Sequence, residues 1–374
     1  MLRPFALSFL LFIATFSQSQ VQATEEAIQS DLRHQQYDLS TDGKKFLLKE
    51  ASGASFFLLG ELHGENEIPH LLRELLPEMS KEGYLYIAGE LSPWAADELE
   101  FAPVQNQPKL PSLWTKGEAS FVHSFGRSRA VLWGCDIEEG QPHLLIRDLA
   151  DLNPKNPVLA QMVEITKAGY ERKMAPQLLH LALELRGVRD RTVNGTSLLQ
   201  GIVSTLTVEA DRSDPNAKLK ASIERESVMK DLFLRHYEQV PSAEASAKVM
   251  LRFGRNHLHR GYDERGVSTL GNFVAEFAVA QHKSVFNVAA FGAGGKASLN
   301  GETWDADERS DDLVFAFLSS VAQFPATVFD LRPLRPTLHR IPQDRRSAVE
   351  QRLIYWADSY DAIICYKQVT PLIP

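Results

Sequence analysis

The chain has 374 residues, with 40 basic against 48 acidic side chains and a formal net charge of −8. That balance leaves no basic footprint for a nucleic-acid backbone, which excludes nonspecific nucleic-acid binding. Two cysteines, Cys135 and Cys365, are too few for a disulfide scaffold; both sit in apolar runs, where a pair or two buried free thiols would fit equally.

The first 23 residues, MLRPFALSFLLFIATFSQSQVQA, open with Arg3 and run apolar from Phe5 to Phe16. They then turn polar and reach the small-residue site ending at Ala23. This pattern predicts a secretory signal peptide, cleaved near Ala23. No cysteine stands near the cleavage point to carry a lipid, and no later apolar run is long enough to span a bilayer. The expected mature chain, 24–374, is periplasmic or secreted and has no transmembrane segment. It reads as a single α/β catalytic domain.

Seven short apolar runs predict buried strands: Phe56–Leu59, Tyr84–Ala88, Val131–Trp133, Lys248–Phe253, Val285–Phe291, Thr327–Leu331 and Ala362–Tyr366. Amphipathic helices are expected between them. In IPHLLRELLPEM, Ile68, Leu71, Leu72, Leu75, Leu76 and Met79 recur at helical spacing, with Pro69 suited to a first turn. IERESVMKDLFLRHYE, Leu270 to Ala280 and Leu313 to Val321 predict three more helices. Strand–helix alternation of this kind predicts a largely parallel, twisted sheet flanked by helices. Residues from about 142 to 245 read as a helical insertion, entered at LNPKNP.

Ligands of open α/β sheets bind beyond the carboxyl ends of the strands. Four strands end there in charge or imidazole. The first ends in GELHGE, the second delivers Glu90, the third Asp136, and the GRNHLHRG stretch carries Arg255, Asn256, His257, His259 and Arg260. Gly60 to His63 and Gly254 to His257 share the spacing Gly-x-x-His. Glycine permits a sharp exit and close backbone approach, and the histidine then projects past the sheet edge. Two such imidazoles beside Glu61 and Glu90 allow general acid–base chemistry. The same donors could hold a divalent metal, with His63, Glu90 and His257 as candidate ligands. The spacing leaves the cofactor open between none and zinc, manganese or cobalt. If a helix began near Gly64, His63, Glu67 and His70 would share one face.

GELHGENE, the AGE that ends in Glu90, the ERESVM helix with Arg225, GRNHLH and the ending YDAIICYKQVTPL together resemble the erythromycin esterase-like family. That family sits in a wider group with ChaN-type haem-binding proteins and TraB- and Tiki-type proteases, marked by paired Gly-x-x-His motifs. The resemblance implies an α/β core and hydrolysis of an ester by water. It matches Glu61 and His63 to the first motif, Glu90 to the second-strand acid, Arg225 to the helix arginine and His257 to the second histidine. The chain departs from the family pattern at Arg255, where the esterases carry a small residue or histidine, and in the LHRG that follows.

No Gly-x-Ser-x-Gly elbow is present and neither cysteine lies in a nucleophile motif, so no covalent nucleophile is expected. The expected activity is hydrolysis of a small-molecule ester or related acyl substrate. His63, oriented by Glu61 or Glu90, deprotonates water; His257 assists; Arg225 stabilises developing charge. Asp136, Arg255, Asn256, His259 and Arg260 are the expected substrate contacts. Two alternatives stand beside this: a ChaN-type haem or iron binder using its histidines as ligands, and a metal-dependent peptidase of the Tiki type.

Overall fold

A computed structural model describes residues 26–101, 114, 122, 131–309 and 312–373. The expected signal peptide lies outside the described residues. Eight strands make one sheet: β1 Gln36–Asp38, β2 Phe56–Glu61, β3 Tyr84–Gly89, β4 Leu132–Gly134, β5 Lys248–Gly254, β6 Val285–Gly292, β7 Ala326–Asp330 and β8 Ala362–Tyr366. Their order is β1-β7-β8-β6-β2-β5-β3-β4. The six strands from β8 to β4 run parallel. Only β7 against β8 and β1 against β7 pair antiparallel. The mostly parallel α/β sheet follows from the strand–helix alternation. The antiparallel edge at β1 does not, because QYD is short and half polar and carries no strand signal.

The period-2 geometry of a strand sends alternate side chains to opposite faces. In β2, Phe57 and Leu59 enter one core with Leu75 and Met79 of the Glu67–Lys81 helix. Phe56 and Leu58 enter the other, with Phe233, Val274 and Phe253. Helices therefore cover both faces, as a parallel sheet requires. The Pro142–Leu152, Pro157–Ile165, Ala175–Glu184, Leu198–Ser213 and Lys218–Glu238 helices lie between β4 and β5. Asn156 caps the second of them, accepting from the N–H groups of Val158 and Leu159 at 3.0 and 3.1 Å, ahead of Pro157 at the first helical position. Ser197 caps the fourth through Gln200 N–H at 3.0 Å.

Two local expectations change. The helix after β2 begins at Glu67, not near Gly64, which takes a left-handed φ of +98°. His63, Glu67 and His70 therefore share no helical face: Glu67 binds Thr370, and His70 is exposed beside Arg73. Cys135 and Cys365 are free and buried. No helix among the described residues is long and apolar enough to cross a membrane.

Candidate functional site

Parallel register brings the strand ends to one edge. Glu61 lies opposite Gly254, and Gly89 lies opposite both Arg252 and Gly134. Glu90 and Asp136 follow Gly89 and Gly134 closely, and His257 follows Gly254 in a single 3-10 turn, Arg255–His257. The two glycines of the repeated motif make room for each other's segments. A Cβ on Gly60 would lie 2.9 Å from Arg255 Cα, and one on Gly254 would lie 2.7 Å from His63 Nε2. Both positions need glycine for close approach.

The result is a chain of alternating carboxyl and imidazole groups. Glu61 Oε1 lies 3.1 Å from His63 Nδ1. His63 Nε2 lies 3.5 Å from Glu90 Oε2. Glu90 Oε1 lies 3.5 Å from His257 Nε2, and His257 Nδ1 lies 2.5 Å from Glu226 Oε1. Each oxygen of Glu90 thus faces one imidazole. Glu90 also accepts from the Gly254 N–H at 2.6 Å and from Arg225 Nη2 at 2.9 Å. Arg252 donates from Nε to Glu61 Oε2 at 2.8 Å, inside β5. Glu226 Oε2 accepts the Leu270 N–H at 2.7 Å, which fixes it at the foot of the next helix. His63 is the open member, with 26 % of its side chain exposed against 9 % for His257.

Burial opposes charge on Glu61, His63 and Glu90, and the pairings decide the outcome. At Glu61, burial is outweighed by the Arg252 guanidinium and His63, so its carboxyl is held below the ordinary value. At Glu90, burial is outweighed by His257, His63 and Arg225, which hold it well below. Burial alone would lower His63; Glu90 and Glu61 override it and raise the imidazole to about 10. The sequence reading made His63 the base; its two carboxylate neighbours favour the charged form of the imidazole. Asp136 is pushed up by burial despite Arg225. Arg225 is clasped by Glu90, Asp136 and Glu139. Its Nε and Nη2 make these contacts, and through them it positions Glu90.

Of the expected residues, the structure brings Glu61, His63, Glu90, Arg225, His257 and Asp136 together. It does not bring the others. Arg255 lays its guanidinium 4.4 Å over the Phe315 ring and 5.6 Å from that of Trp356. His259 is buried among Tyr355, Trp356 and Tyr360, where burial holds its pKa down to about 4. Arg260 forks onto Asp361. Asn256 is exposed. One geometric cause covers Arg255, His259 and Arg260: the turn after Gly254 aims His257 at Glu90 and turns these neighbours toward the Leu313–Val321 and Ala348–Ser359 helices and the β8 entrance.

Three members escape the sequence reading. Arg252 did leave a signal, a cation inside the apolar run VMLRF, where a two-faced buried strand tolerates charge only when it is paired. Glu139 follows Asp136 closely but looks like an ordinary turn acid. Glu226 left no signal, since its role depends on the Lys218–Glu238 helix crossing the strand ends. Among the described residues no three His, Cys, Asp or Glu side chains are grouped to hold a metal ion. His63 and His257 spend Nδ1 on Glu61 and Glu226, and both turn Nε2 to Glu90. The three residues that the sequence named as candidate metal ligands, His63, Glu90 and His257, therefore stand side by side.

Neither a family model nor a curated protein matches the chain. Solved structures match its fold. A protein from Bacillus cereus superposes with a TM-score of 0.59 at 14 % identity, covering 93 % of this chain and 98 % of its own. A succinoglycan biosynthesis protein superposes with a TM-score of 0.56 at 15 % identity, over 93 % and 98 %. A mutant of the erythromycin esterase EreC in its open conformation gives 0.56 at 15 % identity, over 87 % and 93 %. The chain is thus similar in fold to an erythromycin esterase over most of its length.

Proposed function

We propose that this chain is an exported hydrolase that cleaves an ester or related acyl bond of a small molecule with water. The observation that carries the reading is Glu90, with each oxygen 3.5 Å from the Nε2 of a different imidazole at the carboxyl edge of the sheet. Glu226 takes the Nδ1–H of His257, which fixes the tautomer and leaves Nε2 to accept a proton. Water attacks the carbonyl carbon and passes its proton to His257, and Glu90 stabilises the imidazolium that forms. His63, half-buried and positively charged, meets the developing oxyanion and donates its proton to the leaving oxygen as the C–O bond breaks; the proton taken up by His257 then passes across Glu90 to His63, which restores the starting state. The products are an acid and an alcohol. Glu61, braced by Arg252, keeps His63 charged.

The fold likeness to EreC is compatible with this reading and does not name the substrate. The test is hydrolysis of a panel of chromogenic p-nitrophenyl esters by the mature chain and by His63→Ala and His257→Ala, with circular dichroism to check folding. Loss of turnover in both folded variants supports the assignment. Undiminished hydrolysis in either would overturn the role given to that histidine, and in both would overturn the reading.

A further inference from the structure

A pocket, partly open to solvent, lies between the end of β4 and the helical insertion. It shares a wall with the carboxyl–imidazole chain: Asp136 lines it and also binds Arg225, which reaches Glu90. Trp94, Ile137, Leu145, Val193, Leu198 and Leu232 give it an apolar body. Three carboxyl groups line it, Asp136, Glu138 and Asp231, and no Lys, Arg or His does so among the described residues.

The three carboxyls differ in what holds them. Asp136 has Arg225, and Asp231 has Arg235 at 2.8 Å. Glu138 is 6 % exposed and has no ion pair among the described residues. Its Oε2 accepts from the Ser92 hydroxyl, and its backbone N–H donates to Thr205 Oγ1 at 3.0 Å. Its Oε1 has no hydrogen-bond partner among the described residues. Burial pushes this carboxyl up to about 7, with the Ser92 bond opposing and Asp136 adding. A buried acid without a cation at the rim of an apolar pocket is costly unless a ligand completes it.

Resting on the hydrolase reading, we propose that this pocket seats an apolar arm of the substrate that carries a protonated amine, recognised by Glu138, and that it rejects anionic arms. The ester carbonyl would then lie toward Glu90 while the arm fills the space under the Leu198–Ser213 helix. A site built to pair a polar substrate group discriminates strongly against analogues that leave its own group unpaired.

Binding of three matched probes that cannot be hydrolysed tests this apart from catalysis: 2-phenylethylamine, 2-phenylethanol and phenylacetate, titrated calorimetrically into the mature chain at pH 8. The amine is expected to bind about tenfold more tightly than the alcohol, with the carboxylate weakest. Glu138→Gln should remove the amine's advantage and leave alcohol binding unchanged. An unchanged amine-to-carboxylate ratio in that variant overturns the proposal. Ser204→Phe, which fills the pocket from another wall, should abolish amine binding, and persistence there also overturns it. Glu138-dependent amine binding in a chain that hydrolyses no ester leaves the pocket assignment standing and removes the hydrolase reading alone.

Discussion

The two Gly-x-x-His strand ends are alike along the chain and unlike in what holds each imidazole. At the first, the acid comes from within the motif: Glu61, two residues before His63, meets Nδ1 at 3.1 Å. At the second, the equivalent position is Arg255, which turns away to Phe315 and Trp356, and the acid is imported as Glu226 from the Lys218–Glu238 helix. The first histidine is the more open and lies between two carboxylates, so it stays charged. The second is buried, with its Nδ1 fixed by an acid that is itself held by the Leu270 N–H. A repeated motif can thus yield two different chemical roles, because the repeat fixes where the ring stands and the surrounding elements decide its partners.

The largest expected effect would break both ends at once. His257→Ala and His63→Ala should each lower kcat/KM by roughly 10³-fold. The double variant should be little worse than the poorer single one, because groups acting as a unit do not add. Losses that multiply in steady-state kinetics would mean two independent sites. Next comes the contact that joins the ends. Gly254→Ala places a methyl 2.7 Å from His63 Nε2 and should lower kcat about 10²-fold. Gly53→Ala, with nothing within 4 Å of the added carbon, should leave kcat unchanged.

The unlike acids sharpen the contrast further. Glu226→Gln should cost about tenfold in kcat, with the fold intact. Glu61→Gln should also destabilise, by about 1.5–3 kcal/mol in urea unfolding, because the charge-assisted bond from Arg252 to the Glu61 carboxylate is lost. A smaller effect follows from titration. His63 sits at about 10 in the fold against 6.5 when unperturbed. Its stabilising contribution is fully present below pH 6.5 and is lost as pH rises through 10. Melting temperature measured from pH 7 to 10 should therefore fall more steeply in the native chain than in His63→Ala. The smallest effect is expected at His259→Phe, an aromatic replacement among Tyr355, Trp356 and Tyr360. There kcat/KM should stay within about twofold; a large loss would return His259 to the site.

The strands were the most legible part of the sequence. Phe56 to Leu59, and Val285 to Phe291 apart from Asn287, are apolar on both faces, and only a central parallel strand hides such runs. The paired glycines were legible too, since a strand ending in glycine and then histidine marks a sharp exit. Reading on from His257 along the same segment was less sound. His259 and Arg260 are near neighbours in sequence, but the 3-10 turn at Arg255–His257 rotates them to other partners. The density of charge from Glu65 to His70, left out of the expected site, serves the fold. Glu65 is buried against the Gly292 N–H at 2.8 Å, with burial pushing its carboxyl up to about 8, and Glu67 ties down Thr370.

The sequence by itself determined the mostly parallel α/β sheet and which strand ends carry polar groups, because hydrophobic periodicity and glycine punctuation are local and the parallel edge follows from them. Only the tertiary structure decided that Glu90 stands between two imidazoles, that Glu226 and Arg252 complete the chain, and that Arg225 is held by carboxylates. Those facts depend on register and on where a helix crosses the sheet edge. At that edge, shifts of an ångström or two in side-chain position decide whether charges meet, and no run of residues along the chain records that distance.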